Sequence, residues 1–249
     1  MRDRLIVLHV SPGLVAIDKP AGLATIPGRG ETDSVLEQLA RQLGLPFAGE
    51  ADPRVRVVHR LDKETSGVLL FALDRATQQH LSHQFQNNTI EKEYLALVRG
   101  KPRDDSGVID APLAPHPTNS RRMSVVKHRG RPARTEWRVE ESFRGFTVLR
   151  CFPKTGKTHQ IRVHLAHVGL PLAIDPLYAS ASTGSIFLSE FKRDYRPARG
   201  QTERPLISRL TLHAHRLAFR DPSNQLITVE APLPKDFRAL LNQLRRHAH

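Results

Sequence analysis

The stretch His59-Arg60-Leu61-Asp62-Lys63-Glu64-Thr65-Ser66-Gly67 sets one carboxylate, Asp62, in a polar turn that ends on glycine and lies between two apolar runs. Arg60 and Lys63 beside it, and Arg162 farther along, offer cations that would keep a partly buried carboxylate ionised. Such a group, once oriented, is a usable nucleophile or general base. The same residue types also build ordinary turns, in which Asp, Thr and Ser satisfy backbone donors, so the turn alone does not choose between the two readings.

Two other side chains stand in comparable positions. Tyr94 lies in Lys92-Glu93-Tyr94-Leu95-Ala96-Leu97-Val98, where alternation and β-propensity already account for a half-buried aromatic. Arg162 lies in Thr155-Gly156-Lys157-Thr158-His159-Gln160-Ile161-Arg162-Val163-His164, where an Arg on an amphipathic helix is ordinarily solvated. His164 and His167, three apart, invite a metal reading, but the His-Glu-x-x-His arrangement is missing, and structural or RNA-contacting histidines fit better; no metal ligand is assigned. Ser66 near His59 lacks the Gly-x-Ser-x-Gly setting of a serine hydrolase.

The elements that must position these groups are legible as strands over 4–10, 14–19, 54–59, 68–73, 92–98, 146–152, 210–219 and 225–230, where apolar and β-branched residues cluster between turn signals. Asp221-Pro222-Ser223-Asn224 supplies an antiparallel connection between the last two. Four helices are marked. One starts at the capping box Ser34-x-x-Glu37, carries Val35, Leu36, Leu39 and Leu43 as a stripe, and stops at Gly44. A second covers 75–86, and a third begins near Thr158, with Ile161, Leu165 and Val168 on its core face. The last follows Pro232 and Pro234, buries Phe237, Leu240, Leu241 and Leu244, and ends on Arg245 and Arg246.

Together these predict an α+β fold, a mixed, largely antiparallel sheet flanked by helices, in a single catalytic domain over residues 1–249. Segments 115–135, rich in Pro, Arg and Gly, and 179–209 read as surface loops within it.

With 249 residues the chain can bury a substantial core, and 38 Lys+Arg against 25 Asp+Glu give a formal charge of +13, which favours a polyanionic partner. No apolar run approaches the roughly 20 residues needed to span a bilayer, and Met1-Arg2-Asp3-Arg4 lacks the apolar core of a secretory signal, so a cytoplasmic protein with no membrane partner is expected. The lone Cys151 excludes an internal disulfide and reads as a packed strand residue.

Taken in order, His-Arg-Leu-Asp-x-x-Thr-Ser-Gly at 59–67, Lys-x-Tyr-x-Ala-x-Val at 92–98 and Thr-Gly-x-Thr-His-Gln-Ile-Arg at 155–162 resemble motifs of the RluA-type pseudouridine synthases, and the likeness spans most of the chain. The resemblance implies the pseudouridine synthase fold with a central RNA-binding cleft, and isomerisation of uridine in structured RNA without cofactor or metal. It makes Asp62 the catalytic residue that initiates breakage of the bond between ribose C1′ and uracil N1, after which the base turns and C5 joins C1′. Attack on ribose, attack on the base and proton removal to give a glycal all remain open. It implies that Tyr94 packs on the target base in position for proton transfer at C5, and that Arg162 pairs with the catalytic carboxylate. Lys19-Pro20-Ala21-Gly22-Leu23 and Leu212-His213-Ala214 resemble further motifs of structural role. Lys157, where many members carry Arg, and Ala179, where Gly commonly follows a stretch like Asp175-Pro176-Leu177-Tyr178, depart from the pattern. Many relatives add an N-terminal S4 RNA-binding module, and the early first motif is expected to leave no room for one, as in the short form.

The expected partner is ribosomal or transfer RNA, engaged by His59, Arg60, Thr65, Lys157, His159, Gln160, Arg121, Arg122, Arg129 and Arg131, with no obligate protein partner and a monomeric state. Segment 119–138 carries seven Lys and Arg against one acid, Glu136, a density suited to phosphate. Arg60 is expected to enter the stack vacated by an extruded nucleotide. Competing readings are an RNA chaperone of the same fold, which leaves the joint match of Asp62, Tyr94 and Arg162 unexplained, and a metal-dependent nuclease using histidines and Asp175.

Overall fold

The computed structural model describes residues 4–28, 33–179, 184–196 and 200–248. Arg199 of the second expected loop, and Met1 to Asp3 of the start, lie outside the described residues. In chain order the elements are β1 (Ile6–Ser11), β2 (Leu14–Lys19), α1 (Val35–Leu43), β3 (Arg56–Val57), β4 (Ser66–Ala72), α2 (Arg75–Gln86), β5 (Glu91–Arg99), β6 (Ser106–Asp110), β7 (Leu113–His116), β8 (Asn119–Val125), β9 (Arg134–Phe143), β10 (Phe146–Pro153), α3 (Gln160–His167), β11 (Leu212–Arg220), β12 (Leu226–Glu230) and α4 (Lys235–His247). They form two compact units, residues 1–94 with 213–232, and 95–212 with 233–249.

In the first unit β4 is the central strand, buried at every residue. It pairs antiparallel with β2 and with β3, and parallel with β11 through His213↔Ser66 and Ala214↔Gly67. β1 and β12 add antiparallel strands outside β2 and β11, so the sheet is mixed and mostly antiparallel. One face carries Val15, Ile17, Leu69 and Phe71 under the Val35, Leu36 and Leu39 stripe of α1. The other carries Leu14, Ala16, Val68 and Leu70 with Leu81 of α2. Ser34 is the N-cap expected of it: its Oγ accepts from Glu37 N–H (3.2 Å) and donates to the Glu37 carboxylate (3.0 Å), and Gly44 ends α1 at φ 67°. Asn224 adopts φ 65° in the β11–β12 turn, the left-handed conformation its side chain tolerates.

The expected strand 54–59 contracts to Arg56 and Val57 for a definite reason. Beyond Val57 the ladder would continue opposite Leu70, but the Leu70 N–H is taken by His59 Nε2 (3.0 Å), so the chain leaves the sheet there and turns toward Asp62.

In the second unit β10 pairs antiparallel with β9, and β9 with β6. The Phe237, Leu240, Leu241 and Leu244 face of α4 closes on Leu95, Leu97, Phe146 and Val148. Cys151 is fully buried on β10, and burial alone pushes its thiol pKa up to about 12. The expectation of a loop over 115–135 is corrected: β7 and β8 form an antiparallel hairpin, held through Leu113, Met123 and Val125 against Val163 of α3. Its strands are mostly half-buried and polar, so their sequence carries no apolar alternation to betray them. The 179–209 segment, where described, holds only a short 3-10 turn at Leu188–Glu190 and a bridge between Ile186 and Ile207.

Candidate functional site

The turn bearing Asp62 is clamped from both ends. Leu61, buried, exchanges two hydrogen bonds with Thr25: its N–H donates to Thr25 Oγ1 (3.2 Å) and its carbonyl accepts from that hydroxyl (3.0 Å). The Thr65 N–H donates to the Asp62 carbonyl (3.1 Å), closing the turn. The Lys63 carbonyl accepts from Gly22 N–H (2.9 Å) and from Nζ of the fully buried Lys19 (2.8 Å). Lys19-Pro20-Ala21-Gly22 is therefore the floor of the Asp62 turn, the structural part expected of it.

At the far end, Ser66 and Gly67 run alongside β11. His213, fully buried, faces the Ala231 carbonyl with Nε2 (3.2 Å) and Ser66 Oγ with Nδ1 (3.0 Å). A carbonyl only accepts, so Nε2 bears the proton and Nδ1 takes the Ser66 hydroxyl. Gly67 sits at φ 115°, and a Cβ there would lie 2.1 Å from the Ala214 carbonyl oxygen, so no other residue fits.

Asp62 itself is half-buried, Arg60 and Lys63 are exposed, and Thr65 is buried. Tyr94 packs partly into the cluster of Val15, Leu39, Leu61 and Phe71. Burial drives its phenol pKa well above the usual value, and the Asp62 charge drives it further the same way. Asp62 and Tyr94 are thus electrostatic neighbours, and the phenol stays protonated at neutral pH. His59 stacks on Phe85 (centroids 4.3 Å apart, planes at 19°). Burial, with the nearby Lys92 ammonium, lowers its pKa to about 3, so it is a neutral acceptor for the Leu70 N–H. Its ring holds the turn, and Thr65 supports the same turn from a buried position.

In the second unit, Arg162 is 5% exposed and forks onto the fully buried Asp175, Nε to Oδ2 and the terminal nitrogen to Oδ1, both 2.8 Å. Asp175 Oδ1 also accepts from the N–H groups of Leu177 (2.8 Å) and Tyr178 (3.2 Å). Thr211 fixes the backbone leading to Asp175: its hydroxyl donates to the Leu97 carbonyl (2.9 Å) and accepts from Ile174 N–H (3.2 Å). Arg162 is therefore far from the solvated helix residue that its position alone would give.

Gln160, one of the residues expected at the RNA, makes four hydrogen bonds within the protein. Its buried amide oxygen accepts from Lys157 N–H (3.0 Å) and Thr155 Oγ1 (2.7 Å), and its amide nitrogen donates to the Arg134 carbonyl and Thr135 Oγ1 (both 3.0 Å). It pins the loop before α3 to β9. The Thr135 hydroxyl in turn faces His164 Nδ1 (2.9 Å), while His164 Nε2 faces the Ala111 carbonyl (3.0 Å). Both ring nitrogens of His164 are thus occupied by structural partners, and burial lowers its pKa. His159 opens α3 in a left-handed conformation (φ 55°) unusual for a non-glycine residue, and Nδ1 meets the Tyr178 hydroxyl at 2.8 Å. Lys157 is half-buried, Arg121, Arg129 and Arg131 are exposed, and Arg122 is half-buried with its guanidinium over Tyr178. Arg134, also in the basic stretch, is partly neutralised by Asp110 (3.2 Å) and Glu136 (3.5 Å).

Sequence reasoning did not single out Asp175 as the partner of Arg162, nor Thr25, Thr211 and Tyr178. Asp175-Pro176-Leu177-Tyr178 was the available signal for two of them: an Asp followed by Pro in an apolar setting is a buried acceptor in search of donors.

The family model described as RNA pseudouridylate synthase matches residues 13–167. Ribosomal large subunit pseudouridine synthase D of Nitrosomonas europaea is 42% identical over 244 residues, covering 98% of this chain and 66% of that protein. The corresponding figures are 40% over 242 residues, 96% and 69%, for synthase D of Xanthomonas campestris pv. campestris. For ribosomal large subunit pseudouridine synthase C of Escherichia coli they are 34% over 242 residues, 96% and 70%. The chain thus spans 66–70% of the length of these relatives. Among solved structures, Human RNA Pseudouridylate Synthase Domain Containing 4 superposes with a TM-score of 0.71 at 26% identity, over 96% of this chain and 93% of that one.

Proposed function

Because the chain belongs to the RNA pseudouridylate synthase family, in its RluA-type branch, we propose that it isomerises specific uridines of structured RNA to pseudouridine, with Asp62 as the catalytic group. The names of the relatives favour ribosomal RNA of the large subunit over transfer RNA. A single catalytic domain acting as a monomer, with no obligate protein partner, completes the reading.

The observation that carries it is the pairing of Asp62 with Tyr94: a half-buried carboxylate on a turn clamped by Thr25, Lys19 and Gly22, beside a sheltered phenol that feels its charge. In the proposed reaction the C1′–N1 bond breaks, C5 bonds to C1′, the C5 proton leaves, and N1 ends protonated. The Asp62 carboxylate starts the sequence, and Arg162 is the third residue of the catalytic set. Tyr94, kept neutral, lies against the base and relays a proton through its hydroxyl without becoming a phenolate. Extruding a uridine from a stack costs roughly a few kcal/mol. That cost is offset by phosphate contacts from Arg121, Arg129 and Arg131, all exposed, and by exposed Arg60 entering the gap.

Carbodiimide primer-extension mapping of ribosomal and transfer RNA, from cells with and without the gene and with Asp62→Asn, tests this. A uridine signal present only with the wild-type gene is expected. No gene-dependent signal in either RNA class would contradict the reading.

A further inference from the structure

Tyr178 stands where the basic hairpin β7–β8, the start of α3 and the Arg162 fork meet. Its hydroxyl accepts from the Met123 N–H of β8 (2.7 Å), and the same oxygen lies 2.8 Å from His159 Nδ1. Burial raises the phenol pKa, so the hydroxyl keeps its proton. The ring is flanked by two guanidiniums, Arg122 from the hairpin and Arg162 from α3, each 5.2 Å from its centroid. Its backbone N–H donates to Asp175 Oδ1, the atom that also receives a terminal nitrogen of Arg162. Met123, Val125 and Tyr178 pack together on Val163.

We propose that Tyr178 is a positioning residue that locks the RNA-facing hairpin to the Arg162 guanidinium, so that grip on the RNA and the orientation of that guanidinium are set by one side chain. The inference rests on the pseudouridine synthase reading and deepens it. The two halves of the side chain do separate work. The hydroxyl fixes the hairpin, because losing it strands the Met123 N–H. The ring fixes Arg162, because a planar π-surface limits where a guanidinium already forked onto Asp175 can swing.

The test compares wild type with Tyr178→Phe and Tyr178→Leu. In RNA-free protein, NMR hydrogen exchange at the Met123 amide is expected to accelerate about fivefold in Tyr178→Phe, the worth of one neutral hydrogen bond, while the Arg162 Nε–H resonance keeps its ring-shifted position. In Tyr178→Leu that resonance moves as well. With RNA, Tyr178→Phe is expected to raise KM about fivefold with kcat unchanged, and Tyr178→Leu to lower kcat about tenfold in addition. Unchanged Met123 exchange in Tyr178→Phe, or an Arg162 resonance indifferent to Tyr178→Leu, overturns the proposal. So does a Tyr178→Phe variant that loses kcat at constant KM. If wild type isomerises no uridine, the functional reading fails on its own, and the two resonances still decide whether Tyr178 joins hairpin and arginine.

Discussion

Breaking the Arg162–Asp175 fork should be costly from either side and cheaper from both. Arg162 is 5% and Asp175 0% exposed, and the two are joined by a pair of 2.8 Å hydrogen bonds. Removing one member of such a buried pair strands the other charge, so Arg162→Met should destabilise the protein by about 3–5 kcal/mol. Asp175→Asn keeps the Oδ1 acceptor that serves Leu177 and Tyr178, but it turns an amide N–H toward the Arg162 Nε–H and removes the charge that the fork was built on. We expect about 3 kcal/mol, between a lost charged hydrogen bond and a fully stranded charge. In the double variant neither member of this pair is left facing an uncompensated partner, so its cost should fall short of the sum by about 2–3 kcal/mol. Urea unfolding followed by fluorescence of Trp137 measures this, because the chain has a single tryptophan and it lies in the same unit. Additive effects, or single costs below about 1 kcal/mol as at a solvated pair, would refute the reasoning. The double variant should still be inactive, separating Arg162's structural task from its catalytic one.

Gly67→Ala should lower stability by about 3 kcal/mol or more, seen as a drop of roughly 10 °C in Tm, since its Cβ would lie 2.1 Å from the Ala214 carbonyl oxygen at φ 115°; a melt like that of wild type would count against the geometry. His59 has a folded pKa of about 3 against an ordinary 6.5, so its contribution is fully present above pH 6.5 and is lost as pH falls toward 3. Wild-type stability should therefore decline with acidification more steeply than that of His59→Gln, by at most about 1.4 kcal/mol per pH unit, and parallel urea series between pH 7 and pH 4 that coincide would reject this. Tyr94, with its pKa raised above the usual 10.0, should contribute no loss of kcat as pH rises through that value. Tyr94→Phe should retain the fold and lose turnover, and an alkaline limb in the wild-type profile that vanishes in Tyr94→Phe would show that the phenol ionises.

Legibility followed the physics of each element. Ser34, Gly44 and the Leu39 stripe marked α1 because capping and amphipathicity are local. The strands of the first unit were readable because β2 and β4 are buried on both faces and spelled out as apolar runs. β8 was not, since Asn119-Ser120-Arg121-Arg122 is dominated by side chains that stay exposed or half-buried, and the hairpin depends on distant Val163. β9 was also missed: its buried Thr135, Trp137 and Phe143 alternate with charged residues that made the segment read as a basic surface. At the site, Asp62 and Tyr94 were found through motif likeness, and so was Arg162. What holds them was not visible, because Thr25 to Leu61, His213 to Ser66 and Arg162 to Asp175 are pairings distant in sequence whose members look ordinary one at a time. His59 and Gln160 stood out as members of the same motifs, whereas the hydrogen bonds that each makes within the protein were not legible.

The central claim is that the Asp62 carboxylate drives uridine isomerisation. Purified wild type and Asp62→Asn, incubated with ribosomal RNA carrying tritium at uridine C5, decide it, because joining C5 to C1′ must release that hydrogen to water. Tritium release by wild type and none by a folded Asp62→Asn is the predicted result; equal release by both, or none by wild type, would contradict it.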